Sequence, residues 1–222
     1  MLRLAVLLAL TCALLAACGG DDSSDEAAAT ATPGASETAC EAASAPKPKG
    51  EGKLAKPKAQ LDPAKTYVAT VSTNCGDFEI TLDAKEAPKT GGSFEYLAGK
   101  GFYDDTTFHR IVAGFVIQGG DPKGDGTGGP GYSVVEPPSQ DLAYTKGVVA
   151  MAKTGAEPPG TSGSQFFVVT AEDAQLPPDY ALLGKVTSGQ DVVDKIAVAK
   201  TDPATEKPVD PIVISSIKVT AK

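Results

Sequence analysis

The chain has 222 residues, a length typical of one domain with attached segments and sufficient for a sizeable hydrophobic core. Its formal net charge is −8, because 28 acidic residues outnumber 20 basic ones. Nucleic-acid-binding proteins normally present a basic face, so this composition argues against a nucleic-acid partner.

The N-terminus is typical of an exported protein. Arg3 precedes an apolar run, Leu4 to Ala17, which is too short to span a bilayer comfortably. The run ends in LAAC and two glycines follow, as in the lipobox of bacterial lipoproteins. Residues 1–17 are therefore predicted to be a lipoprotein signal peptide, and Cys18 is predicted to carry the lipid. The alternative is a plain signal peptide with a chance cysteine.

The number of cysteines left after cleavage is relevant to disulfide formation. Cleavage before Cys18 would remove Cys12 and leave Cys40 and Cys75 as an even pair. In an oxidising compartment this pair is expected to form a disulfide, since exposed free thiols are a liability outside the cytosol. Two unpaired thiols are the alternative.

Residues 18–62 have the composition of an unstructured linker. The segment is rich in Ala, Ser, Pro, Gly and charged residues, and it has almost no large apolar side chains. Such a sequence cannot bury enough surface to fold alone. We expect it to be a disordered, lipid-anchored tether that holds a folded domain, residues 63–222, off a membrane.

The folded domain begins with a predicted β-hairpin, YVATVSTNCGDFEITL. Apolar residues alternate along both halves, and the stretch from Asn74 to Asp77 supplies turn chemistry between them. The next stretch, APKTGGSFEYLAGKG, predicts a helix because Phe94, Leu97 and Ala98 recur at helical spacing. Its glycine pair, GG, leaves the start of that helix open.

Six further strands are predicted after this helix, and a second short helix, roughly residues 190–197, lies between the last two. The strands are short apolar runs bounded by turns: TFHRIV, GFVIQG, GVVAMA, SQFFVVT, YALLGKV and PIVISSIKVT. Many short strands with two helices indicate a mainly β fold built on a closed antiparallel sheet.

Two glycine-containing stretches are excluded as sites. The loop from Gly119 to Gly131 lacks the ending of a phosphate loop, and Lys123 stands where a calcium loop needs an acidic or amide ligand. The stretch GTSGS lacks the final glycine of a serine hydrolase's nucleophile elbow. With one histidine in the chain a zinc site is not expected, and we predict neither a metal nor a cofactor.

Four other stretches carry the functional signal: FHRIVAGFVIQGGD, VVAMAKT, GTSGSQFFVVT and LPPDYALLGKV. Arginine and glutamine inside apolar strands need a purpose, because polar groups in such positions are normally paired. Together the stretches resemble the cyclophilin family of peptidyl-prolyl cis-trans isomerases, from about Lys65 to the C-terminus. The resemblance implies an eight-stranded antiparallel barrel closed at each end by a helix, in agreement with the elements predicted above.

The resemblance also implies an active-site groove on one side of the barrel. It assigns Arg110, Phe115 and Gln118 to catalysis. The implied substrate-binding residues are His109, Val116, Ala152, Lys153, Gln165, Phe167, Leu176 and Tyr180. His109 and Tyr180 are expected at the edge of the groove.

We therefore expect a monomeric isomerase that is extracytoplasmic and lipid-anchored to the bacterial cell membrane. Its expected partners are proline-containing segments of exported proteins, and it would accelerate their X–Pro isomerisation. The alternative is a binding or chaperone module on the same scaffold with little turnover. A purely structural lipoprotein would leave Arg110 and Gln118 unexplained.

Overall fold

The computed structural model describes residues 40–222. Within them lie ten strands and two helices, in the order β1 (Tyr67–Thr73), β2 (Gly76–Leu82), α1 (Pro88–Gly99), β3 (Thr106–Val112), β4 (Val116–Asp121), β5 (Val134–Val135), β6 (Val148–Met151), β7 (Thr161–Ser162), β8 (Phe166–Val169), β9 (Leu182–Ser188), α2 (Gln190–Ala197) and β10 (Val213–Ala221). Eight of the strands close a barrel in the order β1-β10-β3-β4-β8-β6-β9-β2, while β5 pairs with β7. The predicted fold class, a closed antiparallel eight-stranded barrel with two helices, is confirmed.

The hairpin of β1 and β2 follows directly from the alternation in its sequence. Its register runs from Tyr67 opposite Leu82 to Thr73 opposite Gly76. Every second side chain is buried in the barrel core, because successive side chains along a strand point to opposite faces. The predicted hairpin is confirmed.

Aromatic side chains from separate elements fill the barrel interior. The ring of Phe166 in β8 meets Phe94 of α1 at a centroid distance of 5.7 Å and Phe108 of β3 at 5.9 Å, both edge to face. Tyr103 stacks on Phe94 at 5.0 Å. Because the interior is a packed core of such rings, a substrate site has to lie on the outside of the barrel.

Both helices pack one apolar face on the barrel. In α1 the side chains of Phe94 and Leu97 are completely buried, and in α2 those of Val193 and Ile196 are. In residues 40–222 no helix has both the length and the apolar character needed to cross a membrane.

Residues 40–62, which we call the N-terminal arm, differ from the disordered tether predicted for residues 18–62. The arm is an extended segment that follows the barrel surface and forms backbone hydrogen bonds to it. The amide of Gly52 donates to the carbonyl of Gly129 at 2.8 Å, and the amide of Leu54 donates to that of Pro130 at 3.0 Å. Composition concealed this attachment, because a few backbone bonds and two leucines are enough to dock an extended chain.

The end of the arm explains the two glycines in α1. Leu61 is buried with 2% of its surface exposed, and its amide donates to the carbonyl of Pro88 at 3.0 Å. A Cβ at Gly91 would overlap the Leu61 side chain, and one at Gly92 would collide with the backbone of residues 59–60. The helix therefore carries glycines, despite their low helix propensity, because the arm lies in the notch they leave.

The start of the arm is tied to the first hairpin by a disulfide between Cys40 and Cys75. Next to it, the amide of Glu41 donates to the carbonyl of Asn74 at 2.8 Å. The pairing expected from the cysteine count is therefore the one in the structure. It encloses the arm and β1 in a covalent ring.

A β-bulge in β3 reverses the direction of its side chains. Phe108 pairs with Gly119 and Arg110 pairs with Gln118, so His109 is an extra residue between them. Phe108 consequently points into the core while Arg110 points out, although residues two apart normally share a face. His109 is itself buried, with 6% of its surface exposed.

Removal of the disulfide should destabilise the barrel. The cysteines are 35 residues apart, so the chain-entropy estimate gives up to about 4 kcal/mol of unfolding free energy. We expect a soluble form of the Cys40→Ser/Cys75→Ser variant to unfold at lower urea concentration, measured by circular dichroism. Cys40→Ser alone breaks the same bond but keeps the buried Cys75, and it should lose nearly as much. An unchanged midpoint in both variants would contradict the prediction.

His109 should make stability depend on pH. Burial lowers the pKa of His109 below its ordinary value of 6.5, and the negative charge of Asp121 opposes part of this shift. The unfolded chain then binds the proton more readily than the folded chain, so the unfolding free energy should fall as pH falls below about 6.5. Urea unfolding at pH 7.5, 6.5 and 5.5 measures this. As His109 is the only histidine, the loss should vanish in His109→Gln, and equal slopes in both proteins would refute it.

Candidate active site

Four neighbouring strands present a row of side chains on the outer face of the barrel. Arg110 in β3 pairs with Gln118 in β4, Gln118 pairs with Phe167 in β8, and Phe167 pairs with Ala150 in β6. Directly paired residues lie on the same face of a sheet. The row therefore places a guanidinium, an amide and an aromatic ring next to one another.

A cavity of about 160 Å³ opens over this row. Its lining combines residues predicted for catalysis and for substrate binding: Arg110, Phe115, Val116, Gln118, Ala152, Lys153, Phe167, Leu176 and Tyr180. Its volume corresponds to roughly five water molecules, which suits a small ring rather than a large side chain.

The apolar wall of the cavity consists of side chains that pack on one another and on the ring of Tyr144. Val116 and Phe167 are buried, and Tyr180 meets Phe167 edge to face at 5.4 Å. Beneath them the hydroxyl of Tyr144 donates to the carbonyl of Tyr180 at 2.6 Å and accepts from its amide at 3.0 Å. Burial raises the pKa of Tyr144 from its ordinary value of 10.0 to about 12, so this hydroxyl remains a hydrogen-bond donor even in moderately alkaline solution.

The polar wall is a continuous chain of hydrogen bonds. The Nε of Arg110 donates to Glu206 at 2.6 Å, and its Nη1 lies 3.5 Å from Oε1 of Gln118. The amide nitrogen of Gln118 donates to Gln165 at 3.0 Å. Gln165 in turn donates to the carbonyls of Gly126 and Gly128, at 3.0 and 2.9 Å. Within residues 40–222, Nη2 of Arg110 has no hydrogen-bond partner, so one edge of the guanidinium is available to a ligand.

A larger cleft of about 770 Å³ adjoins the small cavity and shares Gln118, Ala152 and Lys153 with it. The cleft is also lined by the loop from Gly119 to Gly131, which we call the glycine-rich loop, by Gln165 and by one residue of the arm, Glu51. An extended chain that places one ring in the small cavity can therefore continue along the barrel surface into the cleft.

The glycine-rich loop that resembled neither a phosphate loop nor a calcium loop is organised by one buried carboxylate. The amides of Lys123, Asp125 and Gly126 donate to the side chain of Asp121, at 2.8, 3.0 and 2.6 Å. Asp121 has 1% of its surface exposed. The loop is therefore held by the last residue of β4, in a shape that turns the carbonyls of Gly126 and Gly128 toward Gln165.

Lys153 and His109 differ from the other predicted site residues. The Lys153 side chain is 4% exposed; its ammonium pairs with Asp179 at 2.6 Å and lies 5.6 Å from the centre of the Tyr180 ring. Lys153 lines both openings, and its ammonium group is held by Asp179 and the Tyr180 ring. His109 lines neither opening, because the bulge turns its ring beneath the glycine-rich loop, near Gly126. His109 therefore lies next to a loop residue that lines the larger cleft, and its place at the edge of the groove stays a prediction.

Sequence reasoning missed Glu206 and Tyr144. Glu206 lies 96 residues from Arg110 in a charged stretch between α2 and β10, where a solvated loop is the ordinary interpretation. Tyr144 lies outside the four stretches that carried the family resemblance. No local pattern in the sequence marks either residue.

The predicted signal peptide, residues 1–17, and the predicted lipidation site, Cys18, lie outside the described residues.

Comparison with known proteins adds independent information. Residues 68–219 match the family described as cyclophilin type peptidyl-prolyl cis-trans isomerase/CLD. The chain is 41% identical over 174 residues to peptidyl-prolyl cis-trans isomerase B of Streptomyces anulatus, which covers 70% of this chain and 98% of that protein. It is 39% identical over 175 residues to peptidyl-prolyl cis-trans isomerase A of Mycobacterium tuberculosis, which covers 71% of this chain and 94% of that protein.

Solved structures agree. A crystal structure of a cyclophilin type peptidyl-prolyl cis-trans isomerase from Cryptosporidium parvum superposes with a TM-score of 0.65 and 34% identity, covering 71% of this chain and 99% of that one. A second crystal structure of the parasite protein, in the presence of the dipeptide Ala-Pro, has the same TM-score and 33% identity over 70% of this chain. Alignments over almost the whole length of bacterial isomerases, together with a shared barrel fold, lead to one conclusion: this chain belongs to the cyclophilin-type peptidyl-prolyl cis-trans isomerase family and is an enzyme of that class.

Proposed function

We propose that this enzyme accelerates X–Pro isomerisation in exported proteins while anchored by lipid to the outer side of a bacterial cell membrane. The observation that carries the catalytic part is the position of Arg110, which lines the same small cavity as the apolar side chains of Phe115, Phe167 and Leu176. In this proposal the cavity takes the proline ring, and the guanidinium lies beside the prolyl nitrogen as a hydrogen-bond donor.

The catalytic step follows from the electronic structure of the peptide bond. Amide resonance gives rotation a barrier of about 18–20 kcal/mol, and rotation has to break that resonance. In the twisted state the prolyl nitrogen regains its lone pair and can accept a hydrogen bond. A donor aimed at that nitrogen binds the twisted state better than either planar state, which lowers the barrier. No covalent bond to the enzyme forms in this mechanism.

In this proposal the apolar wall of the site binds the proline ring and the polar wall positions Arg110. Phe115, Phe167 and Leu176 hold the proline ring, and the edge-to-face contact with Tyr180 keeps Phe167 in place. Gln118 and Gln165 position Arg110 and offer amide groups to the peptide on either side of the proline. The related parasite enzyme was crystallised in the presence of Ala-Pro, a dipeptide that contains an X–Pro bond, which supports the same ligand chemistry here.

The proposed location and oligomeric state have separate support. The disulfide between Cys40 and Cys75 favours an oxidising compartment, and the predicted signal and lipobox favour export with an anchor at Cys18. A closed barrel has no free sheet edge for pairing. Within residues 40–222 the exposed large apolar side chains are three scattered valines, Val135, Val198 and Val209, so the surface supports a monomer.

Isomerase activity should depend on Arg110. Arg110→Ala should lower kcat/KM at least about tenfold, which corresponds to roughly 1.4 kcal/mol of transition-state stabilisation. Arg110→Lys should also be impaired, since a single ammonium does not reproduce the fork of donors. A protease-coupled or NMR-exchange assay on a proline peptide measures both, with circular dichroism to verify the fold.

Full activity of Arg110→Ala would contradict the mechanism. A wild-type chain that binds proline peptides without turning them over would instead support the binding or chaperone module. Lys146→Ala serves as a control, because it removes a surface cation paired with Asp194, outside both openings.

Lipid attachment should depend on Cys18. In a bacterial host grown with a labelled fatty acid, the wild-type chain should incorporate label and Cys18→Ser should not, because the acyl acceptor is the sulfur of that residue. Cys12→Ser is the matched control and should remain labelled, as Cys12 lies inside the predicted signal peptide. Label on the Cys18→Ser chain would remove the proposed anchor.

A further inference from the structure

We infer that Glu206 is a positioning residue that orients the guanidinium of Arg110 for isomerisation; this inference rests on the proposed role of Arg110. The carboxylate of Glu206 accepts a hydrogen bond from Nε of Arg110 at 2.6 Å, the short distance of a charge-assisted bond. Glu206 does not line the small cavity, so it acts on the substrate only through the arginine.

The backbone of Glu206 is held on both sides. Its amide donates to the carbonyl of Asp202 at 2.8 Å, within its own loop. Its carbonyl accepts from the amide of Ile111 at 2.9 Å, and Ile111 follows Arg110 in β3. The loop that carries the carboxylate is therefore attached to the strand that carries the arginine, next to the residue it contacts.

The loop around Glu206 is also internally braced. The side chain of Asp202 accepts hydrogen bonds from the amides of Ala204 and Thr205, at 3.0 and 2.9 Å, and from the Thr205 hydroxyl at 2.9 Å. Across the loop, the amide of Asp202 donates to the carbonyl of Lys207 at 2.8 Å. These bonds limit the freedom of the loop backbone that carries Glu206 before any substrate arrives.

Glu206 adopts a backbone conformation that glycine would adopt more easily. Its φ is 59°, in the left-handed region, which few residues with a Cβ occupy. Turn formation alone would be served better by glycine at this position. The side chain therefore has a use that offsets the conformational cost, and its contact with Arg110 is the use that the structure offers.

The contact determines which edge of the guanidinium faces the substrate. Glu206 engages Nε and Gln118 lies next to Nη1, so two donors have fixed directions. Nη2 has no hydrogen-bond partner within residues 40–222, so it is the donor that remains available to the substrate. An arginine held in this way does not reorganise when the peptide twists, which is the condition for electrostatic stabilisation of a transition state.

The pair contributes little to folding, and this separates positioning from a structural role. The side chains of Arg110 and Glu206 are 35% and 44% exposed, and ion pairs at such exposure have little effect on stability. The chain contains a matched pair, Lys146 with Asp194, at 2.9 Å and with the same two exposures. Asp194→Asn is therefore a control that breaks an equivalent ion pair away from the site.

The test measures isomerase kinetics of the full chain with two changes at position 206. Glu206→Gln keeps a hydrogen-bond acceptor but loses the charge. Glu206→Gly loses both, and glycine adopts the positive φ of this position without strain. We expect kcat/KM to fall about threefold in Glu206→Gln and up to about tenfold in Glu206→Gly, mainly through kcat. Asp194→Asn should match the wild type, and all three variants should unfold near the wild-type urea concentration.

Two readouts distinguish positioning from a general disturbance. In an Arg110→Ala background, Glu206→Gly should have no further effect on kcat/KM, because the arginine it orients is absent. Arg110 is the only arginine in residues 40–222, so its Nε–H resonance can be identified by its loss in Arg110→Lys. In Glu206→Gln and Glu206→Gly this resonance should shift and its proton should exchange faster with solvent.

Three results would overturn the inference. If the Glu206 variants were as active as the wild type or more active, the carboxylate would have no effect on catalysis or would compete with the substrate for the arginine. An equal loss in the Arg110→Ala background would mean that it acts on the fold. Unimpaired Arg110→Ala would remove the proposed mechanism itself, whereas impaired Arg110→Ala with normal Glu206 variants would remove only the role of Glu206.

Discussion

One extra residue in β3, His109, makes Arg110 point away from the barrel core while Phe108 points into it. In a regular strand the two would share a face, and the guanidinium would enter a core of aromatic rings. Burial of an unpaired charge there would cost at least several kcal/mol. The bulge removes that conflict, and antiparallel pairing then brings Gln118 and Phe167 beside Arg110 on the outer face. The small cavity, the hydrogen-bond chain and the contact with Glu206 all depend on this reversal.

The polar side of the site extends well beyond the residues that touch a substrate. It begins at the loop between α2 and β10, passes through Arg110 and the two glutamines, and ends at the carbonyls of the glycine-rich loop. The arm also supports that loop, through the bond between Gly52 and Gly129 and the ion pair of Glu51 with Lys123 at 2.7 Å. The arm, which has the composition of a linker, therefore contacts the loop whose carbonyls hold Gln165.

Local pattern predicted the first hairpin and the range of α2, because alternation and helical spacing record which face is buried. The family resemblance predicted most of the cavity lining, since those residues lie in long, ordered motifs. It did not reveal the bulge at His109, because a bulge depends on how two strands pair rather than on one strand's sequence. It also missed the docked arm and Glu206. The contacts of Leu61 with the notch at Gly91 and of Glu206 with Arg110 join distant segments, and neither contact leaves a periodic signal.

The covalent ring closed by Cys40 and Cys75 changes how the enzyme responds to mechanical force. A force applied at Cys40 passes through the disulfide directly into the turn of the first hairpin. The longer route through residues 41–66 runs parallel to this short link and carries little of the load. The contacts of Glu51 and Gly52 with the glycine-rich loop lie on that unloaded route. Such a force would thus be borne first by the pairings of β1 with β2 and with β10, and the support that the arm gives to the glycine-rich loop would be insulated from it.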